Sequence, residues 1–140
     1  MSKKKKLQNK YESPSNFDDS FYDWPADWSN TDKDLKIGKE LVEVIEPFIQ
    51  TMIDKRLTVK TIKNHMHNLN LLGAEIIRRL NDEDKAFKKL PIFEIISKYV
   101  DDECGPLLSF WDPNDPTEET YLKAFDSTCR KFYKFTKPPF

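Results

Sequence analysis

Apolar residues recur at spacings of three and four along several stretches of the chain, and this period is typical of amphipathic helices. The first such stretch follows Asp34, and its apolar positions are Leu41, Ile45, Phe48, Ile49 and Met52. Pro47 lies inside this run and has no backbone N–H to donate. We therefore predict a kink at Pro47, or a second helix that begins after a break near Glu46.

The second stretch contains both histidines of the chain. Thr58 is a suitable N-cap, and an apolar face then runs for about five turns. Its members are Ile62, Met66, Leu69, Gly73, Ile76, Ile77 and Leu80. At about 100° per residue, His65 falls at the edge of this face and His67 on the polar side. Histidines two residues apart do not meet on a helix, and a helical zinc pair needs a spacing of four, so we predict no metal site.

The last helix has the clearest predicted start. Asp115 can cap it, Pro116 suits its first position, and Glu118 can complete a capping box. Its apolar stripe consists of Leu122, Phe125, Cys129, Phe132 and Tyr133. Before it, Pro91 can open a short helix that holds Ile92, Ile95, Ile96 and Tyr99. No stretch alternates with a period of two, so the pattern predicts an all-α bundle of four to five helices.

The chain before Asp34 lacks this helical period. Residues 1–16 are polar and aperiodic, and we expect them to be a mobile, disordered tail. The following segment interleaves acids with five aromatic side chains, namely Phe17, Phe21, Tyr22, Trp24 and Trp28. These aromatics either dock on the domain, which is the favoured interpretation, or bind a protein partner. We therefore divide the chain into a disordered or loosely docked segment, 1–33, and a helical domain, 34–137.

Charge is distributed unevenly along the chain, although the formal net charge is only −1. Residues 1–12 carry +4 (five Lys and one Glu), residues 13–34 carry −5 (six Asp and one Lys), and residues 35–140 hold 17 basic and 17 acidic side chains. This neutral body argues mildly against strong sequence-independent binding to nucleic acid. No secretory signal or membrane-spanning stretch is present, so we expect a cytoplasmic protein whose two cysteines pack as thiols.

The sequence signatures of catalysis are missing. No serine lies in a nucleophile elbow, and neither Cys104 nor Cys129 has the surroundings of a known nucleophile motif. The three glycines occur singly, so neither a dinucleotide fingerprint nor a P-loop is present. We therefore predict a protein that is not an enzyme, with no catalytic residues and no cofactor.

Basic residues are segregated on the polar faces of the second and last predicted helices. They are Lys60, Lys63, His67 and Arg78 on one helix, beside the polar Asn64, and Lys123, Arg130, Lys131 and Lys134 on the other. Lys and Arg reach phosphates, and Asn and Arg also read base edges, so these faces are candidate contacts to double-stranded DNA. The alternative is that they only solvate the outside of a bundle.

Two segments resemble the core-binding domain of tyrosine recombinases and phage integrases. In "IEPFIQTMIDKRLTVKTIKNHMHNLNLLG" the matching positions are Phe48, Met52, Leu57, Thr58, Thr61, Ile62 and Leu69. In "YLKAFDSTCRKFYKFT" they are Ser127, Arg130, Phe132, Tyr133 and Phe135, and "FEIISKYV" is similar to a short helix between them. The resemblance implies a SAM-like orthogonal bundle whose second and fourth helices face DNA.

The chain also departs from that family. The catalytic domain of the recombinases, with its tyrosine nucleophile, has no counterpart here, so strand cleavage is not expected. The acidic stretch 101–119 and the acidic-aromatic N-terminal segment are foreign to the family as well. The resemblance therefore implies a small DNA-binding or DNA-associated protein, with a protein-interaction module as the alternative. In a third hypothesis, the acidic segment folds over the basic faces and masks them.

Overall fold

The computed structural model of the chain describes residues 12–108, 114 and 116–137, and within them it contains helices and no strands. Five α-helices follow one another: α1 (Trp24–Trp28), α2 (Asp32–Asp54), α3 (Val59–Asp82), α4 (Ile92–Tyr99) and α5 (Pro116–Thr136). Short 3-10 turns lie at Pro14–Asn16, Phe21–Asp23 and Lys85–Lys89. The all-α bundle predicted from the periodicity is confirmed, while its finer SAM-like geometry stays a prediction.

Helix α2 runs without a break across Pro47, so the predicted break near Glu46 is wrong. A proline inside a helix removes one backbone hydrogen bond and its ring crowds the carbonyl four residues before it, at a cost of about 3 kcal/mol or more. The side chains on either side of Pro47, Ile45, Phe48 and Ile49, are all buried in the core. Their burial stabilises the helix by more than the proline weakens it, because each fully buried large apolar side chain contributes about 1.5–3 kcal/mol.

Threonine caps begin the two long central helices. Thr31 accepts a hydrogen bond from the Asp34 N–H at α2, and Thr58 accepts one from the Thr61 N–H at α3. The second cap was predicted from the sequence and is confirmed. The predicted cap of α5, Asp115, lies outside the described residues.

Helices α3 and α5 pack antiparallel. His65 Nδ1 lies 2.8 Å from the Thr128 hydroxyl, and Asn68 Nδ2 donates to the Thr128 hydroxyl at 2.9 Å and the Ala124 carbonyl at 3.4 Å. As residue numbers rise along α3, those of the α5 partners fall. Phe48 of α2 also packs on α5, with its ring centroid 5.4 Å from that of Phe132. The core therefore lies between these three helices.

The aromatic N-terminal segment is part of this core. Phe21 and Trp24 are fully buried, and Phe17 and Trp28 are each 8% exposed. The docked alternative therefore describes the structure, and the interpretation of these four side chains as a partner-binding surface is wrong. Tyr22 alone is exposed, and its hydroxyl donates to Glu46, which raises the pKa of Tyr22 to about 12.

The described residues before Asp34 are docked on the helical domain, as the docked alternative expected, and the division of the chain at residue 33 stays a prediction. Residues 12–16 form a turn with Pro14 buried, rather than a disordered stretch. Asp34, fully buried at the proposed boundary, accepts hydrogen bonds from the Asn30 N–H and the Asn81 amide and pairs with Lys88 at 3.6 Å. Burial alone would raise the pKa of Asp34, but the Asn81 and Asn30 hydrogen bonds and the Lys88 charge together hold it below its usual value. Residues 1–11 of the predicted tail lie outside the described residues.

Candidate nucleic-acid interface

One end of the bundle is formed where α2 ends, α3 begins and α5 ends. The antiparallel pairing of His65 with Thr128 fixes the register of the two helices. Seven residues before His65 is Thr58, and seven residues after Thr128 is Phe135, so Thr58 and Phe135 lie at the same level, about 10 Å further along. Phe135 also packs on Phe48 of α2 at 5.4 Å between ring centroids. We call residues 54–60 and 131–137 the basic end.

Six cations and one acid occupy the basic end. The cations are Lys55, Arg56, Lys60, Lys131, Lys134 and Lys137, and the acid is Asp54. All seven side chains are exposed. None of the six cations forms an ion pair with another described residue, whereas Asp54 accepts a hydrogen bond from Gln50 at 3.1 Å. The basic end therefore carries a formal charge of +5, which attracts polyanions.

Apolar side chains are exposed among these charges. Phe135 is 41% exposed, Leu57 40% and Val59 37%. On α5, Lys131 and Phe135 are four residues apart and so lie on one face of the helix. The basic end is thus a charged surface with an accessible aromatic ring.

The predicted DNA-contacting residues do not all lie on this surface. Lys60, Lys131 and Lys134 belong to the basic end, and Asn64 is exposed one turn beyond Lys60. Lys63 and His67 lie on another side of α3, where they line an open cleft of about 450 Å³ together with residues 15–19. The acidic side chains Asp18 and Asp19 line the same cleft. Part of the acidic N-terminal segment therefore lies beside part of the predicted basic face of α3.

Three other predicted contacts form bonds to groups of the protein itself. Arg78 bonds to the buried Glu75, with Nε–Oε2 at 3.1 Å, and also pairs with Asp82. Lys123 lies 3.7 Å from Glu119. Arg130 donates to the Glu103 carbonyl at 3.0 Å, on the flank of α5 that faces the connection after α4. The nine predicted residues therefore lie on different sides of the bundle, and their role in binding DNA stays a prediction.

Lys55, Arg56 and Lys137 belong to the basic end but were missed by the sequence analysis. These three residues flank the ends of helices, so they do not belong to the polar faces of the predicted helices. Arg56 has a positive φ of 58°, a conformation that places it in the tight turn between α2 and α3. The sequence signal that could have identified them is the run of cations on both sides of a predicted helix boundary.

His65 ties the two basic helices together just below this end. It is half-buried against α5, as its position at the edge of the apolar face predicted, and His67 is exposed. Burial lowers the pKa of His65, and the nearby charge of Lys131 lowers it further. The neutral imidazole is therefore favoured in the folded protein.

Other chemistry has little support in the described part of the chain. No group of three or more His, Cys, Asp or Glu is placed to hold a metal ion. Cys129 is fully buried, and burial raises its pKa, so its thiol is not activated. Cys104 is exposed, and its pKa is raised by partial burial and by neighbouring acids. Among the same residues, no helix has the length and apolar character that a membrane span needs.

Comparisons with known proteins give no assignment. No protein-family model matches this chain, and no curated protein or solved structure matches it either. The resemblance to the recombinase core-binding domain therefore stays a prediction that rests on the residues quoted above.

Proposed function

We propose that this protein is a non-enzymatic DNA-associated protein that contacts the phosphate backbone through its basic end. The observation that carries the proposal is the set of six exposed cations without ion-pair partners among the described residues. Free lysines and arginines gathered on one surface are what phosphate contacts require, because each contact releases a condensed counterion from DNA.

Two further observations support this surface over the wider set of predicted residues. The cations come from the ends of three helices, so one rigid surface presents them together. Lys131 and Lys134 also belong to the segment that resembles the last helix of a recombinase core-binding domain, which faces DNA in that family. The same resemblance supports DNA as the polyanion.

The test is fluorescence anisotropy of a labelled duplex with the full chain at about pH 7.5, titrated between about 50 and 200 mM salt. We expect binding that weakens steeply with salt. Reversing two charges, in a Lys60→Glu and Lys131→Glu double variant, should weaken binding and make the salt slope shallower by about two, since each lost phosphate contact removes about one.

A matched control reverses two charges away from the basic end. Lys33 and Lys36 are exposed and lie in the first turns of α2, whereas the basic end adjoins the last turn of that helix. The Lys33→Glu and Lys36→Glu double variant changes net charge by the same amount, so its salt slope should stay close to that of the parent. Equal slopes for the two double variants would show that the basic end is not the contact surface. Absence of duplex binding at the lower salt would contradict the proposed function.

A further inference from the structure

The apolar side chains of the basic end do not fit a duplex partner. A duplex presents mainly phosphates and sugars on its outside, and its bases are stacked inside. Contacts to phosphate alone would need no exposed aromatic ring. Yet Phe135 keeps 41% of its surface exposed within the basic end.

Phe135 is held in place by the fold. Its ring packs against the Phe48 ring at 5.4 Å between centroids and an interplanar angle of 51°, and Phe48 in turn packs on Phe132 of the core. Part of the Phe135 side chain is therefore packed on Phe48, and 41% of the residue stays exposed. Lys131, one turn before it on the same face, and the adjacent Lys134 are both exposed.

An exposed aromatic ring with exposed lysines nearby is typical of a surface on which the bases of single-stranded nucleic acid stack. Proteins that bind single strands pair a positive surface for the backbone with aromatic rings on which unpaired bases stack. We infer that the basic end binds single-stranded nucleic acid in preference to duplex, with a base stacked on Phe135 and the flanking phosphates on Lys131, Lys134 and Lys60. This inference rests on the proposed function and names the form of nucleic acid that the same surface takes.

The other exposed aromatic of α5 does not share these surroundings. Tyr121 is 70% exposed at the opposite end of the helix, next to Glu118 and Glu119. Phosphates are repelled by such acids, so Tyr121 is expected to make no contact with a strand. It therefore serves as an internal control on the same helix.

The experiment compares three labelled ligands of equal length with the full chain: an oligothymidylate of about 15 nucleotides, a duplex, and an abasic strand that keeps the phosphates but has no bases. We expect the oligothymidylate to bind most tightly. The Phe135→Leu variant keeps an apolar side chain on Phe48 but removes the aromatic face. It should bind the oligothymidylate about tenfold more weakly and the duplex unchanged, because stacking of one base accounts for roughly a tenfold effect or more.

Controls keep the outcomes distinct. Tyr121→Leu should leave all three affinities unchanged, and thermal melting of both variants checks that each is folded. The inference is overturned if duplex and oligothymidylate bind equally, if the abasic strand binds as well as the oligothymidylate, or if Phe135→Leu has no effect. It is also overturned if anionic phospholipid vesicles displace the strand from the parent protein and this displacement is lost in the Phe135→Leu variant. Absence of duplex binding by the parent protein at the lower salt would instead contradict the proposed function itself.

Discussion

At the scale of single residues, the contact between Gly73 and Trp28 decides how the N-terminal segment is held. Gly73 lies on the buried face of α3, and a Cβ at this position would come within 2.2–2.6 Å of atoms of the Trp28 ring. The ring cannot move away easily, because it is buried and its indole N–H donates to Asn70 at 2.8 Å. A glycine in mid-helix is therefore a packing requirement here.

We predict that Gly73→Ala destabilises the protein, although alanine is the better helix former by about 1 kcal/mol. The overpacked ring should reduce the free energy of unfolding by about 1–3 kcal/mol after that gain, measured by urea denaturation. In a Trp28→Leu background the clash is absent, and Gly73→Ala should be neutral or stabilising. A Gly73→Ala protein as stable as the parent would show that the ring has room to shift.

At the scale of elements, the contact between α3 and α5 depends on the protonation of His65. Burial and the charge of Lys131 lower its pKa in the folded protein, while the unfolded chain has the ordinary value of 6.5. Below that ordinary value the unfolded state binds the proton first. Stability therefore falls as pH falls from 6.5 to the lower folded pKa, and it changes no further from this source below that.

We expect the melting temperature to decrease between about pH 7 and pH 5, in the range where most carboxylates are still ionised. His65→Gln should flatten this decrease, since it removes the titrating group. His67→Gln, at an exposed histidine of the same helix, should retain it. If both variants kept the slope of the parent, the pH dependence would come from another group.

The elements also show what periodicity can predict. The apolar faces of α3 and α5, the threonine cap of α3 and the edge position of His65 were all accessible from spacing alone, because these features are local. The sequence alone did not decide whether the N-terminal aromatics dock on the domain, because docking depends on a contact between residues as distant as Trp28 and Gly73.

The residues of the basic end were predicted only in part, for a related reason. Helical angles place Lys131 and Arg130 on a polar side, but only the packing shows that Arg130 meets Glu103 while Lys131 stays free.

At the scale of the whole molecule, the unequal distribution of charge along the sequence can be compared with the position of the basic end. The described chain enters the fold beside the basic end, because the Gln50 side chain donates to the Glu12 carbonyl at 2.9 Å and to Asp54 at 3.1 Å. Five lysines, Lys3 to Lys6 and Lys10, precede Glu12 in the sequence. Each of them lies within nine positions of Glu12 along the sequence.

We therefore predict that these lysines add to the nucleic-acid contacts of the basic end. Replacing all five by glutamine should weaken binding and reduce the salt slope by up to about 4.5, since each neutralised phosphate contributes about 0.9. The measurement is the anisotropy titration described under the proposed function, repeated over the same salt range.

A control variant carries glutamine at five other exposed lysines, Lys33, Lys36, Lys39, Lys85 and Lys89. It removes the same charge but leaves the five N-terminal lysines in place. Its slope should change much less, because charges further than a Debye length of about 10 Å from the contact are screened. Equal slopes for the two variants would mean that net charge alone, and not a contribution specific to the N-terminal lysines, governs binding.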